Sequence, residues 1–348
     1  MTAPALSVII PTLDEAGHLP RLLANLAAQK NIDLEVIVAD GGSRDATQAV
    51  AEAFKARVVP AERGRGRQMN AAAREAGSEY LLFLHADSLM EDELLLHNAL
   101  DALKKEIDRD GRDEVAGHFR LRFVRSGSAH STAYRYVEEK TAFNRPGTTN
   151  GDQGLLLSRS YFEVLGRFDE SLPFFEDQRI AEKIRSLGRW ITLPGQLHTS
   201  ARRFEKEGFH RRYILMSMIM GLYNAGEQTF FSRAPQLYRS QHETGRLQLS
   251  PFFGIIHDMM RDDWGLRGSA RVFYRLGRYI RQNSWQMFYF LDILARPALG
   301  PGRYPFLRFH DLVFGPLTNN RVCDAVTGLL CLVWFMGVLA PYFRLRDR

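Results

Sequence analysis

The stretch YLLFLHADS (80–88) runs from large apolar residues into His85 and Asp87. A carboxylate at the end of an apolar run is costly to desolvate unless it faces a cation or a crevice, and a divalent metal would offset that cost. Residues two apart on a strand point to the same side, so His85 would stand beside Asp87, and imidazole is a competent ligand for a manganese-like metal. The plain alternative is a histidine hydrogen-bonded within the fold. In VIVADGGSRDAT (36–47), Asp40 precedes two glycines that allow a sharp turn. An acid there can accept hydrogen bonds from a nucleobase or ribose. A hydride-transfer enzyme is disfavoured, because the dinucleotide fingerprint places its glycines first and its acid about 20 residues later. The loop ERGRGRQ (62–68) sets Arg63, Arg65 and Arg67 before a helical stretch, and guanidinium groups and a helix N-terminus both attract phosphate; a merely solubilising loop is the alternative. Finally, LPFFEDQ (172–178) puts Glu176 and Asp177 at a helix start behind two phenylalanines. Capping explains one acid. An apolar wall beside the other would raise its pKa and suit a general base.

These residues need a frame that brings them to one place. Four apolar runs, 6–12, 34–40, 57–60 and 80–87, alternate with helical patterns at LPRLLANLAAQ, ATQAVAEAFKA and RQMNAAAREAG, the sign of parallel strands joined by crossover helices in an open α/β sheet. In such sheets ligands bind at the carboxyl ends of the strands, where Asp14, Glu15, Asp40 and Asp87 fall. Each acid alone could simply cap the helix that follows. From about residue 210 the alternation gives way to longer helical segments, so a boundary is expected at 209/210, with no internal repeat.

The two cysteines, Cys323 and Cys331, fit neither a disulfide framework nor a metal spacing. With no basic leader or apolar signal at the N-terminus, a reducing cytoplasmic location is expected. The net charge of +6 is uneven, since residues 201–348 hold 21 basic and 11 acidic side chains, and 20 of those bases are arginine. Arginines interleaved with aromatics fit phosphate-rich partners or a membrane surface. Residues 269–294 place Arg271, Arg275 and Arg278 on one helical face and Val272, Phe273, Leu276, Ile280, Met287 and Leu291 on the other, a pattern for the membrane interface or for packing on the catalytic domain. YILMSMIMGLY (213–223) is too short to span a bilayer. AVTGLLCLVWFMGVLAPYF (325–343) is uncharged over 19 residues, but a single crossing would export Arg344, Arg346 and Arg348 against the usual placement of bases. Gly328, Gly337 and Pro341 fit a bent or re-entrant element. Attachment to the inner face of the membrane is expected, and nucleic acid is not, since no recognised binding module is visible.

The ordered set SVIIPTLDE, VIVADGGSRDAT, GRGRQMNAAAREA, LFLHADS, GDQGLLLSRSYFEVLGRFDE and FFEDQRIAEKI, spanning Ser7 to Gly188, resembles the family 2 glycosyltransferases with the GT-A fold, a Rossmann-like mixed sheet, here followed by a mainly helical extension. The family's D-x-D motif keeps its last acid at Asp87, while His85 replaces the first. HADS together with TSARRF is most similar to a bacterial subgroup linked with arsenosugar biosynthesis, whose members are usually shorter. The resemblance implies that Thr12, Glu15 and Asp40 line the nucleotide pocket, with Asp40 reading the base. It implies that Arg67 and Asn70 approach the nucleotide and its diphosphate, that Asp87 holds a Mn2+ or Mg2+ ion bridging that diphosphate, and that Asp177 is the catalytic base supported by Glu176. His198 is a candidate further metal ligand or a surface-loop histidine. Arg202 and Arg203 could grip the leaving diphosphate or a phosphorylated acceptor. The activity implied is metal-dependent, inverting transfer of a sugar from a nucleoside-diphosphate sugar to an acceptor hydroxyl, lipid-linked or on a small molecule. A nucleotidyltransferase and a non-catalytic, membrane-associated sugar-nucleotide-binding protein are the rivals. The glycosyltransferase reading requires Asp40, Asp87 and Asp177 to gather round a single cleft, whereas a nucleotidyltransferase would need no Glu-Asp base and the intact Asp87 and Asp177 speak against a non-catalytic protein.

Overall fold

The computed structural model describes residues 3–172, 175–227, 229–234 and 247–347. Its first compact unit holds residues 1–127 and 133–200, and the second holds 128–132 and 201–348. The division falls after Ser200, ahead of the expected 209/210.

The first unit is built on β1 (Leu6–Thr12), α1 (Leu19–Ala27), β2 (Leu34–Asp40), α2 (Thr47–Ala53), β3 (Arg57–Pro60), α3 (Arg65–Glu75) and β4 (Tyr80–Phe83). There follow α4 (Leu95–Asp110), β5 (Val115–Val124), α5 (Ser131–Lys140), β6 (Leu155–Ser158), α6 (Arg159–Val164), α7 (Glu176–Leu187) and β7 (Arg189–Ser200). The strands form one sheet in the order β3-β2-β1-β4-β6-β5-β7. β1 to β4 are mutually parallel, β6 runs antiparallel to β4 and β5, and β7 runs parallel to β5. Every residue of β1 is buried, which its unbroken apolar run requires when helices cover both faces. One core gathers Ile9, Ile37, Leu81, Leu157 and Ile184, with Phe83, Phe162 and Phe168 at ring distances of 5.0–5.4 Å. α1 buries Leu19, Leu22, Leu23 and Leu26 at the spacing of one helix face.

This topology sends the carboxyl ends of β1, β2, β4, β5 and β7, and the amino end of β6, to one edge. Residues 80–87 do not form one long strand. β4 stops at Phe83, and Ser88 N–H bonds the His85 carbonyl at 3.0 Å in a turn. The chain then crosses to β7, where Leu89 and His198 exchange backbone hydrogen bonds of 2.8 and 2.9 Å. The same-side argument for His85 and Asp87 therefore lapses, because alternation holds only while the backbone stays extended.

The second unit is helical among its described residues, beginning with α8 (Arg202–Glu207) and α9 (Phe209–Ala225) and continuing through helices at Ser250–Asp258, Gly265–Gln282, Trp285–Leu299 and Arg321–Leu332. In Gly265–Gln282, Val272, Phe273 and Gly277 are buried within the unit. Of the expected apolar face, Val272 and Phe273 are buried, while Ile280, Met287 and Leu291 are exposed, and the helix ends at Gln282 rather than running on to 294.

Candidate active site

The loops after β1 and β2 are laced together. Asp14 adopts φ 56°; its N–H bonds Ser43 Oγ at 2.9 Å and its carboxylate accepts Arg44 N–H at 2.7 Å. Glu15, partly buried, donates its N–H to Thr47 Oγ1 at 2.9 Å. Asp40 is 1% exposed and accepts from Gly42 N–H (3.1 Å), Ser43 N–H (3.0 Å), the Ser43 hydroxyl and Gln48 Nε2 (2.8 Å), with Thr12 Oγ1 3.4 Å away. Burial pushes its carboxyl up, but the Ser43 and Gln48 bonds outweigh it and hold the pKa below the usual carboxylate value. Asp40 here shapes the loop, and its oxygens are occupied by loop donors. Thr12 is also buried, and Gln68 Nε2 joins its carbonyl (2.7 Å) to that of Ala39 (2.9 Å). The Gln68 amide lies so close that a Cβ on Gly41 would stand 3.0 Å from it.

Asn70 departs from its expected role. It is 2% exposed and its amide donates to the Phe168 carbonyl (2.9 Å) and Glu170 Oε1 (2.8 Å) while accepting Phe168 N–H at 3.1 Å. Its hydrogen bonds fix the 168–170 loop and leave it facing the interior. Arg67 is exposed and pairs with Glu62 at 2.8 Å. The arginine that reaches the acids is Arg65, whose Nε lies 2.8 Å from Glu176 Oε1.

Glu176 and Asp177 open α7, where the helix dipole favours negative charge. Glu176 is buried, and burial lifts its carboxyl pKa against the pull of the Arg65 guanidinium. The residue before them, Phe175, holds φ 74°, a conformation uncommon for a bulky side chain. Phe174, the other half of the expected apolar wall, lies outside the described residues. Asp177 Oδ2 accepts the Gly151 N–H at 2.8 Å. His85 stands beside the same glycine. A Cβ on Gly151 would lie 2.7 Å from His85 Nε2 and 3.5 Å from Asp177 Oδ2. His85 Nδ1 is 2.8 Å from Asp152 Oδ1; burial pushes the imidazole pKa down, and Asp152 and Asp87 more than reverse it, raising it above the ordinary histidine value. The turn carrying Gly151 and Asp152 is tied to β5 through buried Gln153, whose amide donates to the Phe119 (3.2 Å) and Thr141 (3.1 Å) carbonyls. Gln178 ties α7 to the Thr149 carbonyl at 2.9 Å.

Beneath this cluster His85, Asp177, Met69, Phe83, Ile180 and Trp190 help enclose a cavity of about 30 Å³. That is room for a water and not for a hexose, so this pit is not the expected donor cleft. Asp40 lies along the same sheet edge, two strands from β4, about 10 Å at a spacing of about 4.8 Å per strand. His198 is buried on β7 with its Nδ1 3.1 Å from Glu91. Among the described residues no three His, Cys, Asp or Glu side chains converge as metal ligands. Asp87, His85 and His198 therefore do not form the expected ligand set: His85 is turned to Asp152 and Gly151, and His198 to Glu91. Arg202 and Arg203 belong to α8, in the second unit.

Residues 7–166 match the model of glycosyl transferase family 2. They form a family 2 glycosyltransferase domain. Its mixed sheet, with an antiparallel β6 between β4 and β5, is the GT-A arrangement. The domain is similar to the PGL/p-HBAD biosynthesis glycosyltransferase of Mycobacterium bovis, 38% identical over 103 residues, 27% of this chain and 40% of that protein. It is similar to the succinoglycan biosynthesis protein ExoA of Rhizobium meliloti, 30% identical over 220 residues, 55% of this chain and 62% of that one. The chain thus spans less than two thirds of the length of these relatives. Among solved structures, the mannosyltransferase PcManGT of Pyrobaculum calidifontis, in complex with GDP-Man and Mn2+, is 20% identical over 96% of this chain and 88% of its own, at a TM-score of 0.45. TarS of S. aureus is 16% identical over 92% of this chain and 55% of its own, also at 0.45.

The residues of the glycosyltransferase domain that sequence reasoning passed over are Gln68, Gln153, Gln178 and Asp152. Their signal was weak, because a glutamine declares nothing until the carbonyls it must satisfy are known. Asp152 stood in plain sight in GDQG, without an indication of its partner.

Proposed function

We propose that this chain is an inverting glycosyltransferase that takes a sugar from a nucleoside-diphosphate donor and passes it to the hydroxyl of a lipid-linked or small-molecule acceptor at the cytoplasmic face of a membrane. The observation that carries the reading is the Gly151 N–H donated to Asp177, with His85 close beside the same glycine, at the carboxyl edge of a family 2 domain. It fixes a carboxylate that is partly exposed, as a base that meets an acceptor hydroxyl must be. Asp177 takes the acceptor proton as the hydroxyl oxygen bonds to the sugar C1, and the bond from C1 to the diphosphate breaks with its electron pair leaving on phosphate. Glu176 holds Arg65 at the site, and Arg65, Arg63, Arg67 and the amino end of α3 supply positive potential for the departing diphosphate. Thr12, Glu15 and Asp40 form the nucleotide end, with Asp40 acting through the 41–48 loop that it organises.

A divalent ion, Mn2+ or Mg2+, belongs to this reading as a companion of the donor diphosphate, where it would act as a Lewis acid. The steps above use the chain's own groups, since Asp87, His85 and His198 do not converge.

The deciding experiment incubates the full chain with a panel of nucleotide sugars and follows the nucleotide product. Release of nucleoside diphosphate supports glycosyl transfer, whereas pyrophosphate would identify a nucleotidyltransferase. Asp177→Asn should leave donor binding within about twofold and lower kcat by about 10²–10⁴. Activity within tenfold of the parent would remove Asp177 from the role of base.

A further inference from the structure

The helical stretch Arg321–Arg346 is 26 residues long; its most apolar window has a mean hydropathy of 2.1, and only 11% of that window is buried. In its amino-terminal turns the face it turns to the protein is not its most apolar one. Asp324 and Gly328 are buried, Cys331 and Phe335 partly so, and the four recur at helical spacing on one side. Asp324 meets Arg281 at 2.5 Å and Arg278 at 3.3 Å, both on the Gly265–Gln282 helix. The two helices cross at glycines, since a Cβ on Gly277 would come within 2.3 Å of the Gly328 nitrogen. On the opposite side Val322, Val326, Leu329, Leu330, Val333 and Trp334 stand 52–71% exposed. In these first turns the buried positions are an acid and a glycine while the large apolar residues face outward, the inverse of a helix that meets water. A hydrocarbon surface is the solvent that suits this orientation.

Both ends of the stretch are fastened to the same unit. The amino-terminal turns are held by Asp324 and Gly328. At the other end Phe335 and Phe343 pack on Phe253 with ring centroids 4.5 and 6.0 Å apart. Asp347 pairs with Arg211 and accepts the Leu249 and Ser250 N–H groups at 2.8 Å each. A helix pinned in this way cannot deliver its ends to opposite sides of a bilayer. Arg321, Arg344 and Arg346 are exposed at the two ends, where anionic headgroups would meet them.

We propose that Arg321–Arg346 is an in-plane membrane anchor: the face from Val322 to Trp334 sinks into the acyl boundary of an anionic bilayer, the terminal arginines engage its headgroups, and the helix does not cross. The proposal deepens the membrane reading given above and rests on it, but not on the glycosyl transfer. Its test floats the full chain with vesicles of phosphatidylcholine, with and without phosphatidylglycerol, the latter also bearing brominated acyl chains. The parent should float with the anionic vesicles, and Trp334 emission, read against Trp334→Phe, should be quenched by bromines near the headgroup and not by those near the chain end. Leu330→Glu combined with Trp334→Glu should cut vesicle binding at least about tenfold, with the melting temperature and the nucleoside diphosphate released by donor hydrolysis unchanged. Quenching at the chain end would mean a crossing helix and overturn the in-plane anchor. A parent that stays with the soluble fraction would overturn the anchor, as would a dimer in light scattering that the two glutamates dissociate, which would mean that a second copy covers the face. Lost lipid binding with intact donor hydrolysis leaves glycosyl transfer standing, and the converse leaves the anchor standing.

Discussion

A methyl group on Gly151 would have to share space with the His85 ring, 2.7 Å away, and to crowd the carboxylate of Asp177 at 3.5 Å. The ring is the softer neighbour, so Gly151→Ala should fold, displace His85 from Asp152 and disturb the Asp177 hydrogen bond. A misplacement of about 1 Å at a reacting group costs about 10²-fold in rate; kcat should fall by that order with donor affinity little changed, and steady-state kinetics will read it. Asp40 makes a different prediction, because it holds a loop. Asp40→Asn should lose about 2 kcal/mol through unmatched hydrogen bonds, measured by denaturant unfolding. Its folded pKa is lowered from 3.8, so the stabilisation is present above 3.8 and is lost as pH falls through the folded value. The stability gap between parent and variant should close in that acid range and stay open at neutral pH. A third test addresses the ligands. Mn2+ added without a nucleotide sugar should leave the melting temperature unchanged, since Asp87, His85 and His198 are not gathered to bind it, and a rise would show that they regroup. At this scale the acids were legible from the sequence as residue types at strand and helix ends. Their partners were not: Asn70 looked like a donor toward phosphate and proved to serve the Phe168 backbone, a pairing across 98 positions that no local pattern encodes.

The strands β1, β2 and β3 lie where the sequence puts them; burial on both faces fixes β1 and the end of β2, while β3, an edge strand with no buried residue, is marked by its β-branched valines. β4 is four residues rather than eight, and the apolar character of Leu84 and Ala86 comes from burial in a turn. β5 and β7 were passed over. β5 carries a readable alternation in its second half, with exposed Arg120, Arg122 and Val124. β7 contains Pro194 and Gly195, breakers in a central strand but tolerated here because β7 ends the sheet. In the second unit the crossing at Gly277 and Gly328 depended on two glycines 51 positions apart, each unremarkable in its own helix. Gly277→Ala would set a Cβ 2.2 Å from the Asp324 carbonyl oxygen. Backbone cannot step aside as a side chain can, so the cost should approach about 3 kcal/mol, visible as a lower unfolding midpoint with an unchanged slope.

For the molecule as a whole, charge is divided unevenly, with 21 basic against 11 acidic side chains after residue 200. If the basic part works at a lipid surface, raising ionic strength should weaken vesicle binding while donor hydrolysis stays level, because salt screens exposed charges over about 10 Å at 0.1 M. Equal sensitivity of both would place the arginines at the donor instead. The sequence by itself determined the class of fold, the order of its parallel strands along the chain, the family motifs and the presence of a long uncharged stretch near the carboxyl end. Those properties are carried by neighbours in sequence, where propensity and periodicity act. Tertiary structure alone decided that Asp177 and His85 share one glycine, that among the described residues the expected metal ligands do not converge as a set of three, and that the uncharged stretch leaves large apolar residues exposed with both ends tied down. Each of these depends on which distant backbone groups demand a partner, and that demand exists only once the chain has folded.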